Sequence, residues 1–383
     1  MNLTNDANAL LPELIRWRRT LHQHAEGGYD LPETLQLIRD VLNAHRVSFS
    51  EPCQGTIVCC DIGNGPAGMI LRADTDALPM HEESGLPFSS ETTWAHNCGH
   101  DLHTAMLLGA ACLLQKHADK LTHRTRLIFQ PDEEGATGGK FLLEQGLIEP
   151  TYQGAFALHV SPVMESGVLY YKDGPLYAAS DEFFMDIHGT STHGAAPHNG
   201  CDPIFAAVQI YNALQGLMSR EISPFDTAVL SVCAITSGTT YNVVPETAQL
   251  RGTLRTYDTA LRSQLKSRLE AISAGVAQTL RCTAETRWVT SVPAVTSNPS
   301  LNKNIIAALA HYAPDCRTSV HETPFSWSED FGYFSQNVPI TMMTLGTHVP
   351  GYDANIHNAG VRFDENAMPS GVLAHVCAAL SVE

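Results

Sequence analysis

"AGMILRADTD", residues 67–76, is a short apolar run that stops on two aspartates, Asp74 and Asp76. An apolar run of this length with polar flanks reads as a buried strand. The pattern recurs. "RTRLIFQPDEEG" (124–135) carries an apolar strand into Glu133 and Glu134, and "GAFALHVSP" (154–162) carries another into His159. "VPITMMTLGT" (338–347) is a fourth, with His357 following in a loop. In open α/β sheets, ligands bind just beyond the carboxyl ends of the strands. Three strands delivering Asp, Glu-Glu and His to such an edge predict a site there, in an α/β fold. Apolar residues at helical spacing in "LPELIRWRRTLHQH" (11–24), "PETLQLIRDVLNAH" (32–45) and "CGHDLHTAMLLGAACLLQKH" (98–117) supply helices to flank the sheet. Asp101 is the expected N-cap of the last.

Composition bounds the function. A chain of 383 residues, 44% hydrophobic and 16% charged, can bury a large core and suggests two domains or one large one. With Asp+Glu 40 against Lys+Arg 23, the net charge of -17 repels phosphate backbones and argues against nucleic-acid partners. The start "MNLTNDANALLPELIRW" lacks a basic segment followed by an apolar one, so no secretory signal is expected. No apolar run reaches the roughly 18 residues of a membrane span. The ten cysteines do not suit a small disulfide scaffold, and read as reduced thiols in a cytoplasmic protein. The pair Cys59-Cys60 lies in a strand-like run, which favours burial over redox chemistry.

From about residue 180 the grammar changes. Strand "DEFFMDIHG" is followed by helix "DPIFAAVQIYNALQGLMSR", strands "TAVLSVCAITSG" and "TAQLRGTLRTY", helix "TALRSQLKSRLEAISAGVAQTL" and strand "ETRWVTSV". This β-α-β-β-α-β order is that of a ferredoxin-like unit. The first of these helices is expected to pack through Ile204, Val208, Tyr211 and Leu217. The reading is an inserted α+β lid or dimerisation domain at 180–293. A catalytic domain, built on a central mixed sheet flanked by helices, comprises 1–179 and 294–383. The flanks "GPLYAAS" and "VPAVTSNPS" have hinge-like composition.

The chemistry concentrates in two stretches. In "DEEG" the adjacent Glu133 and Glu134 diverge, so one can bind a metal while the other serves as a general base. In "HNCGHDLHTAM" (96–106), Gly99 lets the chain turn so that Cys98 and His100 reach one cluster. Thiolate and imidazole suit Zn²⁺, Co²⁺, Ni²⁺ or Mn²⁺ better than Mg²⁺ or Ca²⁺. His96 and His103 read as supports or helix-surface residues, with Asp101 and His103 bracing the ligands.

The segments "RADTDALP", "HNCGHDLHTA", "FQPDEEG", "ALHVSP", "HGTSTHGAAPH", "YNVVPETAQLRGTLRTYD", "SEDF" and "IHNAGVRFDENAM" together resemble the M20 metallopeptidase family. The match is with its amidohydrolase branch of aminoacylases, hippurate hydrolases and auxin-conjugate hydrolases. It covers essentially the whole chain.

The resemblance implies two divalent metal ions, held by Cys98, His100, Glu134, His159 and His357, with Cys98 as a bridge. It implies Glu133 as catalytic base, Asp76 as the residue that orients a ligand, and His193 as an oxyanion donor, often supplied in relatives by a partner subunit. Asn242 and Arg255 are implied to hold the substrate, and a homodimer or homotetramer is expected through the inserted domain. Asp74 stands where other branches carry a ligand His, and is not counted as a ligand. The sequence departs from the family at "HAEGGYDLPET", Asn97, Leu102, Asp132 and "HNAG", which leaves the acyl pocket undefined. The implied reaction is metal-dependent hydrolysis of an N-acyl-amino acid. A dipeptidase or carboxypeptidase, a non-catalytic metal-binding relative and a redox thiol protein are the alternatives.

Overall fold

The computed structural model describes residues 2–382, which form two compact units. The first comprises the chain up to Leu176, Val295–Pro324, and the chain from Asp330 onward. The strands of its main sheet are β1 (Val58–Ile62), β2 (Ala67–Asp74), β3 (Arg124–Gln130), β4 (Gly154–Ser161), β5 (Val168–Tyr171), β6 (Arg317–Val320) and β7 (Ile340–Gly346). They form one mixed sheet in the order β1-β3-β2-β4-β7-β5-β6. β2 pairs in parallel with β3 and β4, and β4 pairs in parallel with β7. Asp74 and Gln130, the last residues of β2 and β3, are register partners, so the segments beyond them leave the sheet at one edge. β4 is buried along its whole length and β2 almost so, which their unbroken apolar sequences require.

Five helices of this unit are α1 (Leu3–Gln23), α2 (Pro32–Ala44), α3 (His100–Lys116), α4 (Pro299–Tyr312) and α5 (Met368–Leu380). Every residue of α3 from His100 to Leu114 is buried, because α1 and α5 also pack on it. The N-cap of α3 is Gly99, not Asp101. Gly99 has φ 93, and a Cβ there would sit 2.3 Å from a methyl of Val160, so both conformation and space demand glycine. Asp101 lies inside the first turn, and its carboxylate is taken by Arg18 and His22 of α1 instead of the helix end. Among the described residues, no helix is long and apolar enough to cross a membrane.

The second unit comprises Tyr177–Ala294 and Phe325–Glu329. Its antiparallel sheet runs Thr283–Val292, Ala179–His188, Thr247–Thr256, Ala228–Ser237. Helices Pro203–Arg220 and Thr259–Thr279 pack on it around Phe183, Met185, Ile187, Leu250 and Leu254. The segment 325–329 lies outside the 180–293 boundary drawn from sequence. It joins this unit because Phe325 bridges Tyr177, Ala178 N–H donates to Trp327 O at 3.1 Å, and the three rings of Tyr177, Phe325 and Trp327 stack in succession. Helix Pro203–Arg220 has two apolar stripes, and it buries Ala206, Ala207, Ile210, Leu214 and Leu217. Ile204, Val208 and Tyr211, expected to face inward, are exposed together with Phe205. Leu217, expected inward with them, is buried, on the stripe with Ala206, Ile210 and Leu214 that faces the sheet.

Candidate metal centre

Asp76, just past β2, organises the site. Its Oδ1 accepts the backbone N–H of Glu133 at 3.0 Å and its Oδ2 accepts that of Glu134 at 3.1 Å. Its carbonyl oxygen accepts the Nδ1–H of His100 at 2.8 Å. One residue thus fixes the glutamate turn and orients an imidazole. The turn opens on Asp132 (φ 54) and closes on Ala136 (φ 57), both left-handed without being glycine. Such conformations cost about 1–3 kcal/mol each and persist where surrounding contacts enforce them.

His159 is oriented in the same way as His100: its Nδ1–H donates to the carbonyl of Val160 at 2.7 Å. Both rings therefore offer the Nε2 lone pair. Nε2 of His159 lies 3.4 Å from Cys98 Sγ, and Nε2 of His100 is buried with no hydrogen-bond partner. Donor atoms of Cys98, His100 and His159 all lie within 4.8 Å of one another, and those of Cys98, Glu134 and His357 do likewise. Cys98 is common to both groups. Glu134 Oε1 lies 3.4 Å from His357 Nε2, and His100 Nε2 lies 3.9 Å from both Glu133 Oε2 and Glu134 Oε1.

The electrostatics call for a cation. Burial first, then Glu134, pushes the Cys98 thiol well above its ordinary range. Burial opposes charge on His100 too, yet Asp74 and Cys98 raise its pKa well above the ordinary value. Burial and then His103 hold His159 well below it. Cys98 and His100 are thus disposed to keep protons beside carboxylates while His159 is disposed to stay neutral, and divalent ions that displace the first two protons would meet three donors. A shared thiolate, carbonyl-oriented imidazoles and a carboxylate suit two divalent metal ions.

The support continues beneath the donors. His103 is not a donor, because its Nε2 accepts the Val160 N–H at 2.9 Å and its Nδ1 bonds Asp74 Oδ1 at 2.6 Å. Asp74 is fully buried and is engaged also by Arg72 Nη1 at 2.8 Å. His100, His103 and Arg72 hold its carboxyl well below the usual range against the opposing effect of burial. Arg72 Nη2 continues to Asp330, whose carboxylate also accepts Gln130 Nε2 and the Gly139 N–H. The Asp330 N–H approaches Glu133 Oε1 at 3.4 Å. His357 is left-handed at φ 61, with its N–H donating to Asn97 O at 2.9 Å.

Cys98, His100, Glu133, Glu134, His159, His357 and Asp76 thus come together in the first unit. His193, Asn242 and Arg255 belong to the second. There, His193 pairs with Val243 in a short ladder, and Gly194 N–H donates to Asn242 O at 2.8 Å, so these two candidates are neighbours. Arg255 turns its guanidinium onto Thr253 of its own strand. Sequence reasoning assigned no role to Arg72 or Asp330. The available signal was Arg72 itself, a cation inside an otherwise apolar strand.

Residues 70–381 match the model of peptidase family M20/M25/M40. The chain is 36% identical to N-acetyl-L-cysteine deacetylase of Bacillus subtilis, over 94% of this chain and 86% of that protein. It is 35% identical to thermostable carboxypeptidase 1 of Saccharolobus solfataricus, over 99% of this chain and 97% of that one. A solved structure from Bacillus subtilis, a dinuclear metal-binding peptidase of the M20 family, superposes with TM-score 0.84 at 30% identity, covering 97% of this chain and 98% of that one. The chain therefore belongs to the M20 peptidase family, in its amidohydrolase branch, and is a metal-dependent hydrolase of amide bonds.

Proposed function

We propose that the chain hydrolyses N-acyl-amino acids, yielding a carboxylate and a free amino acid. The observation that carries this reading is a pair of adjacent carboxylates on one turn: Glu133 and Glu134 are both held at their N–H groups by Asp76, so one can serve as base beside the other as ligand. When bound, divalent ions supply Lewis-acid polarisation of a carbonyl and acidify water. Cys98, His100, Glu134, His159 and His357 would hold them. Glu133 takes the proton of the attacking water and delivers it to the leaving nitrogen as the C–N bond breaks. His193 donates to the tetrahedral oxyanion, and Asn242 and Arg255 hold the substrate, with Arg255 suited to a carboxylate.

Similarity to the N-acetyl-L-cysteine deacetylase supports an acyl-amino-acid substrate, and similarity to the carboxypeptidase keeps a peptide substrate as the second reading. A panel of N-acetyl-amino acids, benzoylglycine and dipeptides, run beside metal analysis for Zn, Mn, Ni and Co, separates them. Turnover confined to dipeptides, or undiminished after chelation, overturns the first reading. We place the protein in the cytoplasm, where its ten free cysteines stay reduced.

We further propose a homodimer through the second unit. Strand Ala228–Ser237 is an open edge with exposed Val229 and Ile235, and Ile204, Val208 and Tyr211 form an exposed apolar stripe on the helix Pro203–Arg220. His193→Ala is expected to lower kcat about 10²-fold with metal content unchanged. If a partner subunit supplies His193, mixing this variant with Glu133→Gln subunits restores activity, because one hybrid site keeps both groups. No recovery on mixing assigns His193 to its own subunit, and a wild-type kcat removes it from the reaction.

A further inference from the structure

Arg18, His22, Glu82 and Asp101 form a buried cluster of ionisable side chains outside the donor set. Arg18 and His22 stand one turn apart on α1, both almost fully buried. Asp101, wholly buried, directly follows the candidate ligand His100. Glu82 comes from the segment between β2 and α3. Asp101 Oδ2 lies 2.7 Å from Arg18 Nε and accepts the Nδ1–H of His22 at 2.8 Å. The other ring nitrogen of His22, Nε2, lies 3.1 Å from Glu82 Oε1. Glu82 is held in turn by the Ser84 hydroxyl and by the Ser90 N–H, the latter at 2.7 Å. Arg18 Nη2 also sits 3.4 Å from His22 Nδ1, but the shorter, charged contact decides that Nδ1 carries its proton toward Asp101.

Buried ion pairs are a poor device for stability, since apolar replacements of the same volume often do as well. In some proteins they serve instead to fix one arrangement. The arrangement at stake here is specific. The first turn of α3 has no side-chain N-cap, since Gly99 occupies that position, and Cys98 and His100 flank that glycine. Asp101 ties this turn to α1 through Arg18 and His22. On the other side of His22, the residue after Glu82 donates its N–H to Ala359 O at 2.7 Å, two residues beyond His357. His22 thus links the turn bearing Cys98 and His100 to the loop bearing His357.

We propose that His22 is a positioning residue for the metal centre: by bridging Asp101 and Glu82 it sets the separation between the Cys98–His100 turn and the His357 loop. The proposal rests on the metal-site reading above. It concerns the geometry of the donors, and His22 itself touches neither metal nor substrate.

Calorimetric titration of metal-free protein with Mn²⁺ or Zn²⁺ tests it, with circular dichroism to verify folding and the Co²⁺ absorption spectrum to report donor geometry. His22→Leu, which loses both arms, is expected to bind metal 10–100-fold more weakly, the usual effect of removing a partner behind a ligand. His22→Asn, whose amide reaches toward Asp101, and His22→Gln, whose amide reaches toward Glu82, should each recover part of the loss. The Co²⁺ spectrum of the leucine variant should shift. Wild-type affinity and spectrum in folded His22→Leu overturn the proposal. Should that variant not fold, Glu82→Gln, which keeps size and shape, decides: about tenfold weaker binding supports the bridge, and unchanged binding overturns it. A wild-type protein that takes up no metal fails the underlying reading, which is a different result from intact binding in the variants.

Discussion

Glu133→Gln is expected to reduce kcat by about 10² to 10⁴, the usual worth of a general base, while both metal ions remain bound. The substitution keeps the shape of the side chain and removes its capacity to take a proton. Asp76 holds residue 133 by its backbone N–H, so the turn does not depend on the carboxylate being changed. Glu134, the ligand candidate, keeps its own N–H bond to Asp76 as well. A loss in kcat with little change in KM and unchanged metal content is the expected pattern. Near-normal kcat, or loss of metal along with activity, would transfer the base to another group or make Glu133 a ligand.

Cys98→Ser is expected to act on both ions at once. Cys98 is the one donor shared by the two groups, so its loss should weaken each. A neutral hydroxyl is a far poorer ligand than a thiolate, and binding should fall on the order of 10³-fold, beyond the 10–100-fold typical of outer partners. Activity should fall with occupancy and partly return when metal is supplied in excess. The measurement is metal content after gel filtration, beside activity across a metal series. Two ions per chain and full activity in the variant would remove Cys98 from the donor set. The thiol is buried, which predicts slow modification by alkylating reagents even without metal.

Much of this was legible in the sequence because parallel strands write their chemistry at their ends. Asp76, the Glu133–Glu134 pair and His159 could each be read as the polar stop of an apolar run, and the sheet brings those stops to one edge. Local pattern failed where side chains make long-range choices. Asp101 looks like an N-cap because Asp before a helix generally is one, but a buried arginine and histidine 79 or more residues away compete for its carboxylate and win. In helix Pro203–Arg220 two apolar stripes carry the same spacing, so spacing alone places Leu217 inside but also Ile204, Val208 and Tyr211, and only the sheet selects between the stripes. Arg72 and Asp330 lie in segments quoted for the resemblance, but neither carries a role in the sequence, because their meaning lies in each other, 258 positions apart.

The two groups of donors are not equally sheltered. Cys98, His100 and His159 are all buried, whereas the second group runs outward from Cys98 through half-buried Glu134 to exposed His357. An ion held by the first group would have to wait for the protein to open before leaving, and one held by the second would reach water along the exposed imidazole of His357. Exchange should therefore be kinetically asymmetric. Under a chelator the protein should lose one equivalent quickly and the other slowly, and a single-phase loss of both would show that the shelter makes no difference. Between the phases lies a species with one ion, open to refilling by whichever metal is abundant. The composition of the centre then becomes a record of the solutions the protein has passed through, with the inner position remembering longest.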